Sequence, residues 1–446
     1  MRVILSRPHL HELALSLGFS QRKSKLSAEM FFDMLFYTVA NKEQESLSYM
    51  ISLLQSDFGV TINKQSLNER FNEKSETYIK AVLREVLSEQ LTTLYSDKLL
   101  PCFAHIRIKD STKFMISNNL EAEYKGFGKD SRGRSTAGIS IQYEYDLKSG
   151  QVTALTIHSA NRNDRTDATE TAQNMSKDDL IIRDLGYFST PVLQSCMEQE
   201  AFFLSRLEST TNVYDQSNNL ISFKDIYNSM QNSRITEKEI QAYVGKQTKV
   251  PVRLILRLVP QEVYEQRIRE KTQKSKAQGR GQLTQETKIR SWFNLFITNA
   301  QEFQLSAEQI FPLYRLRWQI ELQFKIWKSI FKIDTFHKVK KHRFFTTLYM
   351  KLLLIIINLQ ITYSLQQSFV QTDRHKIKIL SLNKSLKTLK TLFDKIFGML
   401  RQTYNKAKEI TLYIRNRLYQ NHWLESKKKK LCLPEILQLI ICESPK

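Results

Sequence analysis

The chain has 446 residues, of which 41% are hydrophobic, and its 67 Lys and Arg residues outnumber its 45 Asp and Glu residues to give a net charge of +22. This length is too great for one hydrophobic core of ordinary size and predicts two to four domains. The surplus positive charge favours nucleic acid as a polyanionic partner, with a generally basic soluble protein, a ribosomal protein or a membrane-surface protein as alternatives.

The sequence offers little support for export, for a disulfide framework or for a nucleotide-driven motor. Four scattered cysteines fit a reducing cytosol, and the N-terminus lacks the uninterrupted apolar core of a signal peptide. Neither GxxxxGK[ST] nor GxGxxG occurs, which argues against ATP use. The charge-free stretch at 352–370 contains Asn, Gln, Ser and Thr, so it predicts a buried core helix rather than a membrane span.

Apolar residues recur at helical spacing in the first 98 residues, as in SAEMFFDMLFYTVANK and SETYIKAVLREVLSEQL. Between these two runs the sequence predicts a helix, a turn at Gly59 and a second helix carrying Lys64, Asn68 and Arg70. This is the outline of a DNA-binding helix-turn-helix. An ordinary helical hairpin with a solvated polar face fits the same pattern.

Strand patterns begin at Pro101. AHIRIKD alternates and is predicted to end a strand on Asp110, GISIQYEYDLKSGQVTALTIHS predicts two strands joined by a turn, and DLIIRD predicts a short strand ending on Asp184. Pro191 is predicted to open a helix, and AFFLSRL resembles another buried strand. These elements predict an α/β domain with a mixed sheet.

The region from about 207 to 300 carries two further strand patterns, VPVRLILRLVP and SWFNLFITNA. Between them the polar, basic stretch at 270–288 is predicted to be a flexible loop that contacts DNA. Helical periodicity returns with a capping box at Ser306, and Pro312 is predicted to start the next helix. Everything after about 340 reads as helical and Lys-rich, with a basic cluster at 426–430.

The segment YRLRWQIELQFKIWK is predicted to be one helix with a narrow polar stripe. Tyr314, Arg317, Glu321 and Lys328 project within an arc of roughly 60° at helical spacing, with apolar residues opposite. A solvated amphipathic face is the simpler interpretation of this helix alone.

Two carboxylates at predicted strand ends strengthen the functional interpretation, because ligand sites of α/β sheets lie at strand ends. Phosphodiester cleavage needs hard cations that neutralise developing charge, and Mg²⁺ prefers oxygen ligands. Asp110, Asp184 and Glu321 therefore form a candidate site for two Mg²⁺ ions, with Mn²⁺ as a substitute.

The spacing around the Glu resembles the signature of transposases of the insertion-sequence-four family, which have a ribonuclease H-like DDE core. That signature is Tyr, two residues, Arg, three residues, Glu, six residues and Lys, and it is matched without a gap by Tyr314, Arg317, Glu321 and Lys328. DSTKF at Asp110 and RDLGYFS at 183–189 resemble the two Asp blocks of the same family. The resemblance covers roughly residues 100 to 345.

The resemblance implies roles for these residues. Asp110, Asp184 and Glu321 would hold the metals, and Tyr314, Arg317 and Lys328 would contact phosphates of the element end. In members that form a hairpin intermediate, a Trp on the insertion strand accommodates a flipped base, and Trp292 lies at the similar place. Trp292 is equally well explained as a core residue, and Trp318 and Trp327 are predicted to be core.

The predicted fold class is therefore α/β, with a ribonuclease H-like mixed-sheet catalytic core, a β-rich insertion and flanking helical regions. The predicted regions are a helical DNA-binding region at 1–98, the first part of the core at 99–206, the insertion at 207–300, the Glu helix of the core at 301–345 and a helical region at 346–446.

The predicted function is cut-and-paste transposition in the bacterial cytoplasm, in association with the nucleoid. The expected partners are double-stranded DNA, as element ends and target, and a second copy of the chain in a synaptic dimer, without ATP or a membrane. A nuclease or resolvase that cuts without joining is one alternative. A domesticated DNA-binding protein is another, although loss of a carboxylate would be expected there.

Overall fold

The structure is a computed structural model that describes residues 2–22, 24–40, 46–90, 99–129, 135–279, 281–372, 378–401, 404–425 and 433–440. The predicted basic cluster at 426–430, together with Cys432 and Cys442, lies outside the described residues.

The strands, in chain order, are β1 His105–Met115, β2 Lys125–Lys129, β3 Ser135–Asp146, β4 Val152–Ser159, β5 Asp179–Arg183, β6 Phe202–Arg206, β7 Val213–Tyr214, β8 Glu237–Val244, β9 Val250–Leu258 and β10 Phe293–Thr298.

The α-helices are α1 Arg7–Ser16, α2 Ala28–Ala40, α3 Leu47–Phe58, α4 Lys64–Glu69, α5 Glu73–Ser88, α6 Asp164–Glu170, α7 Thr190–Glu198, α8 Phe223–Asn232, α9 Gln261–Ala277, α10 Gln285–Arg290, α11 Ala307–Arg315, α12 Trp318–Ser329, α13 Lys341–Thr372, α14 Leu382–Thr391, α15 Phe393–Arg401, α16 Tyr404–Asn421 and α17 Leu433–Ile440.

The chain divides into two compact units. Unit 1 is made of Met1–Ser96, Ser111–Asn161 and Gln319–Glu435, and unit 2 of Asp97–Asp110, Arg162–Trp318 and Ile436–Lys446. Chain connections pass between the units within β1 and within α12.

Unit 2 contains a mixed sheet with the strand order β1, β5, β6, β10, β9, β8 and β7. The first three strands are parallel, and every later pair in this order is antiparallel. Buried apolar side chains of β5, β6, β9 and β10 share a core with α7. The prediction of an α/β fold with a mixed sheet is confirmed, and the strand patterns of the 207–300 region become β9 and β10 of this sheet.

Most of the predicted loop at 270–288 is helical. It contains the second half of α9 and the start of α10. None of the side chains of α9 is fully buried, and its polar composition therefore resembles that of a loop. Arg267 and Lys271 nevertheless hold α9 to the 291–294 segment through hydrogen bonds. These tertiary hydrogen bonds help to stabilise a helix that has no fully buried side chain.

Pro312 does not start a helix, because α11 begins at Ala307 after the predicted capping box of Ser306 and continues through Pro312. A proline inside a helix removes one hydrogen bond, at a cost of about 3 kcal/mol. Burial of Ile310, Pro312, Leu313 and Tyr314 offsets that loss.

Unit 1 combines an antiparallel sheet of β2, β3 and β4 with helices. The hairpin of β3 and β4 was predicted, and its turn is closed by the carboxylate of Asp146, which accepts hydrogen bonds from the backbone amides of Lys148 and Ser149. Helix α13 packs against α2 and α5. It is the one described helix long and apolar enough to cross a membrane, and 94% of its most apolar window is buried, as expected of a core helix.

The predicted helix-turn-helix path is present in unit 1. Helix α3 ends at Gly59, whose φ of 63° places it in the left-handed region, and α4 carries Lys64 and Asn68. Arg70 follows α4 and donates hydrogen bonds to Ser24 and to the carbonyl of Leu26. Arg70 is thus engaged within unit 1, and the DNA-binding role of this motif stays a prediction.

Candidate active site

Two of the predicted carboxylates lie on neighbouring parallel strands of unit 2. The register pairs Lys109 of β1 with Arg183 of β5, so Asp110 and Asp184 are the next residues along each strand. Asp184 directly follows β5, as predicted. The prediction that Asp110 ends its strand is wrong, because β1 continues to Met115. Asp110 is instead the first residue of β1 beyond the segment paired with β5.

The guanidinium group of Arg317 contacts both aspartates. Its Nη1 donates to Oδ2 of Asp110 at 3.2 Å, and its Nε lies 3.6 Å from Oδ1 of Asp184. Only 8% of the Arg317 side chain is exposed, against 18% for Asp110 and 47% for Asp184. A nearly buried cation therefore lies between two carboxylates, one of which is open to solvent.

Tyr314 packs behind this charged group. Its ring contacts Phe296 edge-on at 5.2 Å, and its hydroxyl lies 3.4 Å from the carbonyl oxygen of Arg183. Burial raises the pKa of Tyr314 to about 12, although nearby Arg317 acts in the opposite direction. The phenol therefore stays protonated at neutral pH and serves as a hydrogen-bond donor.

The predicted single helix through the four signature residues is wrong. Helix α11 ends at Arg315, and α12 begins at Trp318. The backbone amides of Leu316 and Arg317 donate hydrogen bonds to carbonyl oxygens three residues earlier, and this tighter turn interrupts the α-helix. Tyr314 and Arg317 are consequently buried rather than placed on a solvated stripe.

Glu321 lies on α12 in unit 1, partly exposed. Its helix is held by Trp327, which is fully buried and meets Tyr143 of β3 edge-on at 4.8 Å. Gln323 of the same helix accepts a hydrogen bond from the Tyr143 hydroxyl at 3.0 Å and donates to Tyr363 of α13. The helix that carries Glu321 is therefore fixed to the sheet and to α13 of its unit. Membership of Glu321 in a common site with the two aspartates stays a prediction.

Lys328, the last signature residue, is half-buried, and its Nζ donates to the carbonyl oxygen of Lys113 at 3.2 Å. This bond joins α12 to the second half of β1. Trp327 is core, as predicted. Trp318 was also predicted to be core, but 61% of it is exposed, because it begins α12 after the helix break.

Beneath the aspartates, on alternate positions of β1, lie two buried ion pairs that the sequence did not predict. Nζ of Lys109 lies 2.5 Å from a carboxylate oxygen of Asp167, and Arg107 contacts Asp179 at 2.9 Å. The alternation in AHIRIKD was visible, with cations at every second position, but its acidic partners lie far along the chain.

Trp292 lies just before β10 rather than on it. Its ring stacks on that of Tyr264 with centroids 3.8 Å apart and an angle of 5°, and Tyr227 lies 5.3 Å away. It also packs against the apolar core of unit 2. One face of Trp292 is therefore already covered by an aromatic ring.

The chemistry of the aspartate pair fits a hard divalent cation, because two carboxylates already share a positively charged partner and supply the oxygen atoms that Mg²⁺ prefers. Within the described ranges, no group of three or more His, Cys, Asp or Glu side chains is close enough to hold a metal ion.

Comparison with known proteins places the chain in a family. The family model described as a transposase DDE domain matches residues 101–359. This match covers more than half of the chain and includes every residue of the candidate site. The chain is a DDE transposase.

Similar transposases are found in Bacillus thuringiensis and in Clostridium perfringens. The transposase for insertion sequence element IS231F of Bacillus thuringiensis subsp. israelensis is 31% identical over 94% of this chain and 89% of its own length. The transposase for IS231B of subsp. berliner is 31% identical over 84% of this chain and 81% of its own. The transposase for IS1151 of Clostridium perfringens is 27% identical over 98% and 94%. The resemblance inferred from the Tyr-Arg-Glu-Lys signature is thus confirmed, and this DDE transposase is an enzyme of an insertion sequence.

Proposed function

We propose that this transposase excises its insertion sequence from DNA and joins it to target DNA, with Asp110, Asp184 and Glu321 as the ligands of two divalent cations. The observation that carries the proposal is the pair of aspartates on adjacent parallel strands, held around one cationic group. The core of the enzyme is proposed to be ribonuclease H-like, with the predicted domain limits.

The three carboxylates would hold Mg²⁺, with Mn²⁺ as a substitute. When bound, the cations supply charge neutralisation at the attacking and leaving oxygens. Tyr314, which is protonated at neutral pH, would donate a hydrogen bond from its hydroxyl to a phosphate oxygen of the element end. Arg317 and Lys328 would bind phosphates of the element end, because their cationic donors match phosphate oxygens.

The proposed reaction is a series of in-line displacements at phosphorus. Water attacks the phosphodiester at the element end, and the bond to the 3′-oxygen breaks to leave a free 3′-hydroxyl. That hydroxyl attacks a phosphodiester of the opposite strand to form a hairpin, and the 3′-oxygen of the flanking DNA leaves. A second water reopens the hairpin and restores the 3′-hydroxyl, which then attacks a phosphodiester of the target DNA and displaces a 3′-oxygen of the target strand. Each step exchanges one phosphorus–oxygen bond for another, so neither ATP nor a covalent enzyme intermediate is needed.

The proposal also includes the oligomeric state of the enzyme, its binding of the element end and its location in the cell. Two copies of the chain would hold two element ends in a synaptic dimer, and the helix-turn-helix at 46–70 would contribute to end binding. The basic composition suits a cytoplasmic protein associated with the nucleoid.

The experiment compares Glu321→Gln with the native enzyme on a duplex bearing the DNA end that flanks the gene. Glutamine keeps the side-chain shape and removes the negative charge, so nicking should fall by at least about a hundredfold while folding and gel-shift binding persist. Glu302→Gln, a change at an exposed position, is the matched control and should leave nicking unchanged.

A 3′-end label distinguishes the alternatives in the same assay. Movement of the label into target DNA supports transposition, and nicks without joining would indicate a nuclease or resolvase. Binding of the native enzyme without any nick in Mg²⁺ or Mn²⁺ would indicate a DNA-binding protein and contradict the proposal.

A further inference from the structure

Arg317 contacts both of the aspartates that are proposed to hold a cation. Two of its donor nitrogens face separate carboxylates, at 3.2 Å for Asp110 and 3.6 Å for Asp184. All three residues belong to unit 2, and their relation does not depend on the other unit. The protein itself therefore already supplies one positive charge to these two carboxylates.

Divalent cations and this guanidinium compete for the same oxygens. Like charges repel at such distances, most strongly where few water molecules screen them, and Arg317 is only 8% exposed. Cation loading with Arg317 in place is therefore opposed both by occupied ligands and by charge repulsion.

A DNA phosphate offers Arg317 another partner. Guanidinium groups bind phosphate through two parallel hydrogen bonds, as they bind carboxylate, so a phosphate close to the site can replace the carboxylates as acceptor. Asp184, with 47% of its side chain exposed, shows that this end of the strands is reachable from solvent.

We propose that Arg317 is an exchangeable placeholder that couples cation binding to DNA binding; this inference rests on the proposed function of the same site. Without DNA, Arg317 offsets part of the negative charge of Asp110 and Asp184 and weakens their affinity for divalent cations. When an element end binds, Arg317 turns to a phosphate and the aspartates become available as ligands. DNA then tightens cation binding, and cations tighten DNA binding by the same factor.

The test measures Mn²⁺ binding to the full-length protein by electron paramagnetic resonance, with and without a duplex carrying the flanking DNA end. For the native protein, the duplex should lower the Mn²⁺ dissociation constant roughly 5- to 150-fold, the usual range of such coupling. Arg317→Ala should bind Mn²⁺ more tightly than the native protein in the absence of DNA, and the duplex should add little.

Two further variants complete the design. Arg317→Met removes the charge but keeps a long apolar side chain. It replaces Arg317→Ala in the experiment if circular dichroism shows that Arg317→Ala does not fold. Arg257→Ala removes a surface arginine paired with Glu237, and should behave as the native protein does.

Unchanged or weaker Mn²⁺ binding by folded Arg317→Ala or Arg317→Met without DNA would overturn the proposal. The readout is cation binding, so it is independent of cleavage. If the native enzyme does not nick DNA, the proposed function is contradicted, but Mn²⁺ binding by the native protein and the Arg317 variants can still be compared. If an active enzyme binds Mn²⁺ and DNA independently of each other, only the placeholder role is contradicted.

Discussion

The ammonium group of Lys109 lies 2.5 Å from a carboxylate oxygen of Asp167, and the two side chains are 2% and 1% exposed. Lys109 also donates to the hydroxyl of Thr171 at 3.2 Å. The pair lies one residue before Asp110 and joins β1 to α6. It therefore supports the strand that presents the first aspartate of the site.

Lys109→Ala should lower the free energy of unfolding by about 3 to 5 kcal/mol, because it leaves the buried charge of Asp167 without its nearest partner. Chemical denaturation measures the effect. Lys177→Ala, which breaks the exposed pair with Glu200, is the control and should leave the midpoint unchanged. The double change Lys109→Met with Asp167→Leu should recover much of the loss, and a loss as large as that of Lys109→Ala would contradict this account.

Trp292→Ala should leave the first nick intact and slow hairpin formation, if Trp292 stacks on a flipped base. Removing the ring removes a stacking surface worth about 1 to 3 kcal/mol per base. A time course of nicked and hairpin products on a labelled end measures both steps.

Tyr264→Ala is the matched comparison for Trp292, because it removes the stacked neighbour and keeps the indole. If the two variants slow both steps equally and lower the melting temperature alike, Trp292 is a core residue and base stacking is excluded.

DNA binding should weaken steeply with salt, with a slope of about −0.9 in a double logarithmic plot for each phosphate neutralised. Lys328→Ala should reduce the magnitude of that slope by about 1, and should cost about 1 kcal/mol of stability through the lost bond to the Lys113 carbonyl. Fluorescence anisotropy at several salt concentrations measures the slope. Lys325→Ala, at an exposed position of the same helix, is the control. An equal change of the slope in both variants would mean that Lys328 does not contact a particular phosphate of the element end.

Local sequence patterns were sufficient for most elements. The short apolar run in DLIIRD predicted β5 and the position of Asp184 at its end, and the apolar spacing of SAEMFFDMLFYTVANK predicted α2. These predictions succeed because a strand that is buried on both faces needs a continuous apolar run, and a helix that is buried on one face needs apolar residues at a spacing of three or four.

The same reasoning wrongly predicted one continuous helix where the structure has α11 and α12. The spacing of Tyr314, Arg317 and Glu321 fits a continuous helix, yet the chain tightens its turn at Leu316 and Arg317. Arg317 there reaches two aspartates that are distant in sequence. Interactions of this kind have no period along the chain, and local spacing therefore does not predict them.

The sequence by itself determined the family of this transposase and the candidate residues of its site, which are three carboxylates and the Tyr-Arg-Glu-Lys signature, together with most of the strands and helices that carry them. Only the tertiary structure decided that Arg317 is shared by Asp110 and Asp184, and that Lys109 is buried against Asp167. The physical reason is that a buried charge is stable only beside its partner, and the partner is chosen by the packing of distant strands and helices rather than by neighbouring residues.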